Sequence, residues 1–539
     1  MNFTYKACVL VLAIAASSIY IHRKLTFIPT IPLDDNQYWG PGDKPENEDA
    51  TIYEFKINIS KEVLSDLQTR ITNARPTSLS LQDVHHQYGV NAELIDDILY
   101  FWTKKYTWKK KREAFFNRFP QFKTNIQGLN MHFIHEKPNP KIVSEKNLEV
   151  VPILLLHGWP GSFIEFYHII PMLTNPRNKN FVFEVVVPSL PGFAFSDGAA
   201  RPGLGASQVA VILHNLMRRI GFSRYYIQGG DWGSIIGGVM SSLYPESVLG
   251  FHSNMCFTME PLPNLKIFLG SLVPSWIVEK KFEDRVYPLS KIYSRLLEET
   301  GYLHIQATKP DTLGVTLNDS PIGLAAYIFE KFISFSDPDL ANTKLGNLRN
   351  LYGYEILLDN VMIYWVTGSI TTSMRLYAET FNPSHFALGW LSQPIQVPTG
   401  CTRFKHEIAF QPESILRHKY LDLVVVKDYP VGGHFAALEM PAVLADDIWF
   451  IIDTMPQKRG FHDSSLLVLK TKTGGPDQEK RVWRFRLPVE FVKGLDVPSR
   501  NFALLCVLSI IPKAFDRPED PRGDNRRGHS HREGRENRL

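Results

Sequence analysis

The chain has 539 residues, which is enough for one large domain or for two to three ordinary domains with substantial cores. Its composition of 44% hydrophobic, 12% aromatic and 21% charged residues is that of a globular protein, and it excludes disordered, collagen-like and coiled-coil proteins. The 59 Lys and Arg residues exceed the 55 Asp and Glu residues by only four, a surplus that does not indicate a nucleic acid as partner.

An uncharged, mostly apolar segment lies near the start of the chain. Residues 7–21 read ACVLVLAIAASSIYI, and the basic residues Arg23 and Lys24 follow them, whereas a single lysine precedes them. Such a segment is either a short membrane span or the core of a cleaved signal peptide. Bulky residues such as Tyr20 stand where a cleavage site needs small ones, so we expect an uncleaved membrane anchor at residues 1–24. The basic residues after it predict that the body faces the cytoplasm.

Helical and strand patterns follow the anchor. The segment 25–138, a predicted N-terminal arm, is first polar and then helical, and its apolar residues mark one face of each of two helices: Val63, Leu64, Leu67 and Ile71, then Ile95, Ile98, Leu99 and Trp102. Residues 122–136 instead predict two short strands around Gly128. Short β-rich runs at 150–156, 181–187 and 225–228 are separated by stretches of helical length. Buried strands with helices between them predict a doubly wound α/β core around a parallel sheet.

Residues 256–392 interrupt this alternation with helical patterns, and predicted strands at 395–398 and 421–426 restore it. An insertion into an α/β core lies over the carboxyl ends of the strands, where such folds bind ligands. We therefore predict a helical cap at 256–392, inserted between two parts of the core at 139–255 and 393–455.

A C-terminal extension is expected at residues 456–539. Its apolar run at 502–511 is too short to span a bilayer as a helix, so we expect a helix packed on the body, with an interfacial membrane contact as the alternative. Residues 517–539 contain almost no apolar side chain and are expected to be disordered, since they cannot bury enough surface to offset the entropy of ordering.

The four cysteines, Cys8, Cys256, Cys401 and Cys506, lie far apart and include no C-x-x-C pair. This spacing indicates neither a disulfide framework nor a zinc site. We therefore expect a reduced compartment that faces the cytosol.

The sharpest chemical signal is the sequence GGDWGS at residues 229–234, directly after a predicted strand and directly before a predicted helix. It is the G-x-S-x-G nucleophile elbow with aspartate in the place of serine, which predicts that Asp231 is a carboxylate nucleophile. The glycines Gly229 and Gly233 have no Cβ and so permit the tight turn. The alternative is an ordinary turn in which Asp231 caps the helix.

The sequence HGWPGS at residues 157–162 ends the strand at 150–156. In hydrolases of this architecture the corresponding loop contributes a backbone N–H to the oxyanion hole, and the second N–H follows the nucleophile. We assign these two donors to Trp159 and Trp232. His157 is expected to be structural, because the backbone of this loop does its chemistry.

A catalytic triad on this fold runs nucleophile, acid, histidine along the chain. His434 lies in GGHF, after the last strand-like stretch and a turn, and is predicted to be the base. Glu407 stands between the last two predicted strands and is the favoured acid. Glu413 and Asp422 are its rivals, and an exposed surface carboxylate is the alternative for all three.

The combination of HGWPGS, GGDWGS and GGHFAALE resembles the microsomal epoxide hydrolases, and among them the juvenile hormone epoxide hydrolases of insects. The resemblance covers roughly residues 38–455. It implies an α/β-hydrolase core, a helical cap, an N-terminal arm that wraps the core, and an anchor in the endoplasmic reticulum membrane. It also implies that two cap tyrosines, Tyr302 and Tyr377, donate protons to a lipophilic epoxide, and that neither a metal nor an organic cofactor is needed. His406 stands where the family has an aromatic residue before the acid.

Two other functions stay open at this stage. A haloalkane dehalogenase uses the same aspartate, acid and histidine, although the paired tyrosines favour an epoxide. A membrane-bound lipid-binding protein that has lost activity is the alternative outside the enzymes. The substrate is open between juvenile hormone and foreign lipophilic epoxides, and the sequence does not indicate an oligomeric state.

Overall fold

A computed structural model of the protein describes residues 31–459 and two short strands beyond them. The predicted membrane anchor at 1–24, the apolar run at 502–511 and the expected disorder at 517–539 lie outside the described residues. The chain divides into two compact units, Met1–Arg459 and Gly460–Leu539. In the second unit, strands Val468–Leu469 and Trp483–Arg484 pair in antiparallel orientation.

The first unit contains a nine-stranded mixed sheet with the order β1-β2-β3-β5-β4-β6-β7-β8-β9. Strands β1, β2, β3 and β5 pair in antiparallel orientation, and all pairs from β5 through β4 to β9 are parallel. The bounds are β1 (Ile52–Phe55), β2 (Gln121–Ile126), β3 (Leu129–Glu136), β4 (Glu149–Leu156), β5 (Phe181–Pro188), β6 (Tyr225–Gly229), β7 (Val248–Ser253), β8 (Thr399–Arg403) and β9 (Leu423–Asp428).

Helices cover the sheet and fill the long insertion between β7 and β8. Those before the insertion are α1 (Lys61–Thr72), α2 (Ala92–Lys104), α3 (Glu113–Phe116), α4 (Pro140–Lys146), α5 (Ile170–Thr174), α6 (Ala206–Ile220) and α7 (Trp232–Leu243). Those inside it are α8 (Pro261–Gly270), α9 (Leu289–Glu299), α10 (Gly301–Thr308), α11 (Pro310–Asp319), α12 (Pro321–Ser334), α13 (Leu348–Leu351), α14 (Tyr354–Thr367), α15 (Ile370–Thr380) and α16 (Pro383–Ala387). The last three are α17 (Glu413–Leu416), α18 (Ala436–Glu439) and α19 (Pro441–Arg459). Within the described residues, no helix is both long and apolar enough to cross a membrane.

The structure confirms most of the predicted elements of the core and arm. The two predicted arm helices are α1 and α2, which begin after the capping side chains of Ser60 and Asn91. The hairpin around Gly128 is β2 and β3, and the apolar runs form the parallel strands β4, β5 and β6. Strand β6 of the α/β core is buried along its whole length, because helices cover both faces of the parallel part of the sheet.

The strand expected at 395–398 is wrong. Ile395 forms only an isolated bridge with Tyr420, and the strand next to β7 is β8, which begins at Thr399. The apolar residues that prompted the prediction lie just before the sheet, whereas the sequence TGCTR of β8 has little apolar character. Its five residues are nevertheless all buried, because strands and helices surround it.

The expectation that no disulfide forms is also wrong. Cys256 and Cys401 are joined by a disulfide, with 6.0 Å between their Cα atoms. The two residues lie 145 positions apart in the sequence, but β7 and β8 are parallel neighbours in which Ser253 is opposite Cys401. Because disulfides persist in oxidising compartments, the cysteines no longer support a body that faces the cytosol.

A buried ion pair ties the arm to the insertion. Arg112 donates from Nε to Oδ1 of Asp359 on α14 at 2.8 Å, and its Nη2 also contacts Oδ2. The hydroxyl of Tyr106 donates to the same Oδ1 at 2.7 Å. Burial raises the pKa of Asp359 to about 6, and the positive charge of Arg112 opposes this increase. The carboxylate is fully buried, so its charge depends on these two arm residues.

We expect Arg112→Met to lower the free energy of unfolding by about 3–5 kcal/mol, because it leaves Asp359 buried without its cation. The control is Arg375→Met, which removes the same side chain from an exposed pair with Asp311 and is expected to cost less than about 1 kcal/mol. Urea unfolding of both variants measures the difference. An equal decrease in the free energy of unfolding in the two variants would show that the arm does not depend on this ion pair.

Candidate active site

Asp231 lies at the turn between a strand and a helix. Strand β6 ends at Gly229, and helix α7 begins at Trp232. The backbone of Asp231 has φ +48° and ψ −125°, a conformation that residues with a side chain rarely adopt. The turn also requires a glycine at position 233, since a Cβ there would lie 2.1 Å from the carbonyl oxygen of Leu156. The sequence GGDWGS therefore forms the predicted elbow, with the carboxylate of Asp231 raised above the sheet.

Two groups contact the carboxylate of Asp231. The backbone N–H of Trp159 donates to Oδ1 at 2.7 Å, and Nε2 of His434 lies 3.5 Å from Oδ2. The N–H of Trp232, the second predicted donor, makes no hydrogen bond to this carboxylate in the described structure. The two oxygens of Asp231 therefore have different surroundings, one bound by the backbone and one beside a histidine.

His434 pairs with Glu407. Its Nδ1 lies 2.9 Å from Oε1 and 3.1 Å from Oε2 of Glu407, and both side chains are buried. Burial alone would lower the pKa of His434, but the carboxylates of Glu407 and Asp231 together raise it well above its usual range. Of the rival acids, Glu413 binds Arg417 at the surface. Asp422 directly precedes β9.

The two predicted tyrosines come from the insertion, Tyr302 on α10 and Tyr377 on α15, and these helices pack together. The Tyr302 ring stacks on Trp159 with 5.4 Å between centroids, and the Tyr377 ring meets Trp232 edge to face at 4.7 Å. The pKa of Tyr302 is raised by burial and by the charge of Asp231. The pKa of Tyr377 is raised by burial and by its neighbours Tyr302 and Asp231. Both hydroxyls therefore stay protonated and can donate.

The hydroxyl of Tyr377 is buried and has no hydrogen-bond partner of normal geometry within the described part of the chain, although the Tyr302 hydroxyl interacts with it. A buried hydroxyl without a full partner carries a cost in free energy that an oxygen of a bound molecule can relieve. This region between the tyrosines and Asp231 is therefore suited to an oxygen-containing ligand.

His157 has the structural place that the sequence predicts. It is fully buried, its Nδ1 lies 3.0 Å from the carbonyl oxygen of Gly158, and its Nε2 accepts from the N–H of Leu190 at 3.1 Å. Burial lowers its pKa to about 4, so the ring is neutral and binds backbone groups on two loops.

Three polar residues near Asp231 were missed by reasoning from the sequence. Glu165, Gln228 and Asn254 border a cavity of about 20 Å³ together with Asp231 and His434. Ser162 and Glu165 have the spacing of a helix capping box, so the sequence indicates only a structural role for the glutamate. No group of three or more His, Cys, Asp or Glu side chains in the described ranges is arranged to hold a metal ion.

Two protein families match the chain. The family described as epoxide hydrolase N terminus matches residues 52–166, and the family described as alpha/beta hydrolase fold matches residues 151–307. The predicted α/β-hydrolase fold is therefore confirmed, and the first match covers most of the N-terminal arm.

Relatives of known activity extend over most of the chain. Juvenile hormone epoxide hydrolase 1 of Ctenocephalides felis is 52% identical over 422 residues, which are 78% of this chain and 89% of that protein. Epoxide hydrolase 1 of Oryctolagus cuniculus is 42% identical over 427 residues, which are 78% of this chain and 92% of that protein. The crystal structure of juvenile hormone epoxide hydrolase from Bombyx mori is 47% identical, with a TM-score of 0.77, and the match covers 79% of this chain and 100% of that one.

Proposed function

The chain belongs to the epoxide hydrolase family and is an epoxide hydrolase, and we propose that it opens lipophilic epoxides to vicinal diols through a covalent ester on Asp231. The observation that carries this proposal is the placement of one carboxylate near a backbone N–H, a histidine paired with glutamate, and two tyrosines, of which Tyr377 is buried and Tyr302 partly buried. Each of these groups serves one step of a two-step reaction.

In the first step, Oδ2 of Asp231 attacks a carbon of the epoxide ring. Oδ1 is the oxygen held by the N–H of Trp159, and this leaves Oδ2 as the free nucleophile. The carbon–oxygen bond of the ring breaks, and Tyr302 and Tyr377 donate to the oxygen that leaves. The product of this step is an alkyl ester in which Oδ1 is the carbonyl oxygen.

In the second step, His434 removes a proton from water, and the resulting hydroxide attacks the carbonyl carbon of the ester. Negative charge develops on Oδ1, where the N–H of Trp159 and, as second donor, the N–H of Trp232 stabilise it. Glu407 orients His434 through Nδ1 and stabilises the imidazolium. His434 then returns the proton to the departing alcohol, and the diol is released. The proton left on the carboxyl of Asp231 returns to the tyrosine that protonated the ring oxygen, and Asp231 is again a carboxylate.

The substrate is proposed to be a lipophilic epoxide, either a juvenile hormone or a foreign compound. The relatives in Ctenocephalides felis and Bombyx mori are juvenile hormone epoxide hydrolases by name, and their identities of 47–52% exceed the 42% of epoxide hydrolase 1 from Oryctolagus cuniculus. This difference favours the hormone. Competition between a juvenile hormone and cis-stilbene oxide for the purified enzyme tests the preference directly.

We also infer that the protein is bound to the membrane of the endoplasmic reticulum. The apolar residues 7–21 supply an anchor by sequence. The basic residues after them favour a body on the cytoplasmic side, whereas the disulfide between Cys256 and Cys401 favours an oxidising compartment. Residues 261–278 add an apolar surface that contains a single charged residue, Lys266. Its large apolar side chains are exposed: Leu265, Phe268 and Leu269 lie on α8, and Leu272 and Trp276 lie in the segment directly after it.

Leu272 and Trp276 are 83% and 81% exposed, which is unusual for large apolar side chains so close together. Tryptophan also favours the boundary between lipid headgroups and acyl chains. We therefore define residues 261–278 as the apolar strip and propose that it lies on the bilayer beside the anchor.

We expect His434→Gln to accumulate the ester, because alkylation of Asp231 does not need the base whereas hydrolysis does. After incubation with cis-stilbene oxide, mass spectrometry should find the chain heavier by the mass of the substrate, with the added mass on the peptide that contains Asp231. The control is the double variant with Asp231→Ala, which should neither turn over nor gain mass. Unmodified protein in the single variant, with bound substrate demonstrated, would contradict the role of His434.

We expect Tyr302→Phe and Tyr377→Phe each to slow formation of the ester by about 10–100-fold. This is less than the roughly 100–10,000-fold that general acid catalysis contributes, because one donor remains. The double variant should almost stop ring opening. Rapid-quench measurement of ester formation checks this, with Tyr327→Phe as the control for a tyrosine that packs on Trp159 without a proposed role. A double variant that forms the ester at the normal rate would point to another acid.

We expect removal of residues 1–24 to release the protein from membranes only in part, because the apolar strip keeps contact. Adding Leu272→Ser and Trp276→Ser should release the remainder. The matched control replaces Leu79 and Tyr88 with serine, since these arm residues are equally exposed and lie outside the apolar strip. Flotation with phospholipid vesicles at high salt measures the bound fraction. Complete release by the truncation alone would show that the apolar strip does not bind lipid.

A further inference from the structure

The cavity of about 20 Å³ beside Asp231 has room for one water molecule, for which 10–15 Å³ is roughly sufficient. It is bordered by the two proposed catalytic groups, Asp231 and His434, and by the polar side chains of Glu165, Gln228 and Asn254. Neither Tyr302 nor Tyr377 is among the residues that border it. The cavity is therefore separate from the place where the epoxide oxygen is expected.

Gln228 brings an unsatisfied acceptor to this cavity. Its Nε2 donates to Oδ1 of Asn254 at 2.9 Å, but its Oε1 has no hydrogen-bond partner among the described residues. The side chain is almost completely buried. A buried carbonyl oxygen without a donor is costly, and such atoms in native proteins are usually satisfied by an ordered water. The hydrogen bond to Asn254 fixes the orientation of the Gln228 amide, so Oε1 is the amide atom without a partner.

Glu165 brings a carboxyl group that no cation contacts within the part of the chain that the structure describes. Oε1 accepts from the N–H of Ser162 at 3.1 Å, as part of the capping box that begins the short helix Phe163–Tyr167. The carboxyl fits here only because residue 161 is glycine, since a Cβ at Gly161 would lie 1.3 Å from Oε1. Burial and the charge of Asp231 raise the pKa of Glu165 to about 8, so the group is neutral at pH 7 and Oε2 carries a proton that it can donate.

We propose that this cavity holds the water that hydrolyses the ester on Asp231, and that Glu165 and Gln228 are positioning residues for this water. The proposal rests on the function proposed above. The hydroxyl of Glu165 donates to the water oxygen, and the two water protons point to Oε1 of Gln228 and Nε2 of His434. Groups that border the cavity therefore bind both protons and one lone pair of the water. The second lone pair is left to attack the ester carbon.

The step is balanced in atoms and protons. Nε2 of His434 takes one proton of the water, and the water oxygen forms a bond to Cγ of Asp231. The bond between Cγ and the alcohol oxygen then breaks, and the alcohol takes the proton from His434. The second proton of the water stays on the carboxyl of Asp231 and passes through solvent to the tyrosine that gave its proton to the ring oxygen, which restores both groups. Glu165 and Gln228 only orient the water, so they are expected to affect hydrolysis of the ester without affecting its formation.

The test separates the two half-reactions with cis-stilbene oxide as the probe. Rapid quench followed by intact mass spectrometry measures formation and decay of the ester in Glu165→Leu, Gln228→Leu and Glu165→Gln. Each leucine variant removes one hydrogen bond to the water, and we expect ester decay to slow by about tenfold while ester formation changes by less than about twofold. Glu165→Gln keeps a donor toward the cavity and an acceptor for Ser162, so it should retain most of the wild-type decay rate.

The matched control is Gln208→Leu, which removes another glutamine whose buried Oε1 lacks a partner, but at a place that does not border the cavity. It should change neither half-reaction. Wild-type ester decay in both leucine variants would overturn the proposed water site while leaving the ester mechanism intact. Equal slowing of both half-reactions would also overturn it, because that result indicates a general loss of structure. If His434→Gln accumulates no ester, the proposed mechanism itself fails and the water site with it.

Discussion

The site depends on the strained backbone of Asp231 at the junction of β6 and α7. For a residue with a side chain, a backbone at φ +48° and ψ −125° costs about 1–3 kcal/mol. Such a conformation persists only where the surrounding structure enforces it. Here the carbonyl oxygen of Leu156 at the end of β4 occupies the space beside residue 233, and α7 starts at once after the turn. The buried parallel strands thus hold the carboxylate at a fixed height, and every other group of the site is arranged around it.

The loop that carries Trp159 is held from the other side, by helix α14 of the insertion. Asn360 donates from Nδ2 to the carbonyl oxygen of Pro160 at 2.6 Å, and the hydroxyl of Tyr364 donates to the carbonyl oxygen of Gly161 at 2.7 Å. The neighbouring residue Asp359 is the one bound by Arg112 of the arm. A single helix therefore connects the arm to the loop that supplies the N–H for Oδ1.

The sequence was informative where a pattern is local. The elbow around Asp231 and the pairing of β2 with β3 are defined by neighbouring residues, so glycines and alternation were enough to predict them. Contacts between distant segments were not predictable in this way, which is why the disulfide of Cys256 with Cys401 was missed. Glu165 and Gln228 were missed for a related reason. A polar side chain without a hydrogen-bond partner can be identified only when the groups around it are known. The sequence alone does not give that information.

The charges of the site are consistent with the order of the two proposed steps. In the free protein, the carboxylates of Glu407 and Asp231 raise the pKa of His434, so its proton is held firmly. Once Asp231 carries the proposed ester, its charge is gone and only Glu407 still favours the imidazolium, which lowers the pKa of His434. The histidine can then lose its proton and become the base for hydrolysis. Burial, the larger of the effects that raise the pKa of Glu165, is unchanged in the ester, and a neutral carboxyl at that place does not favour the proton on His434.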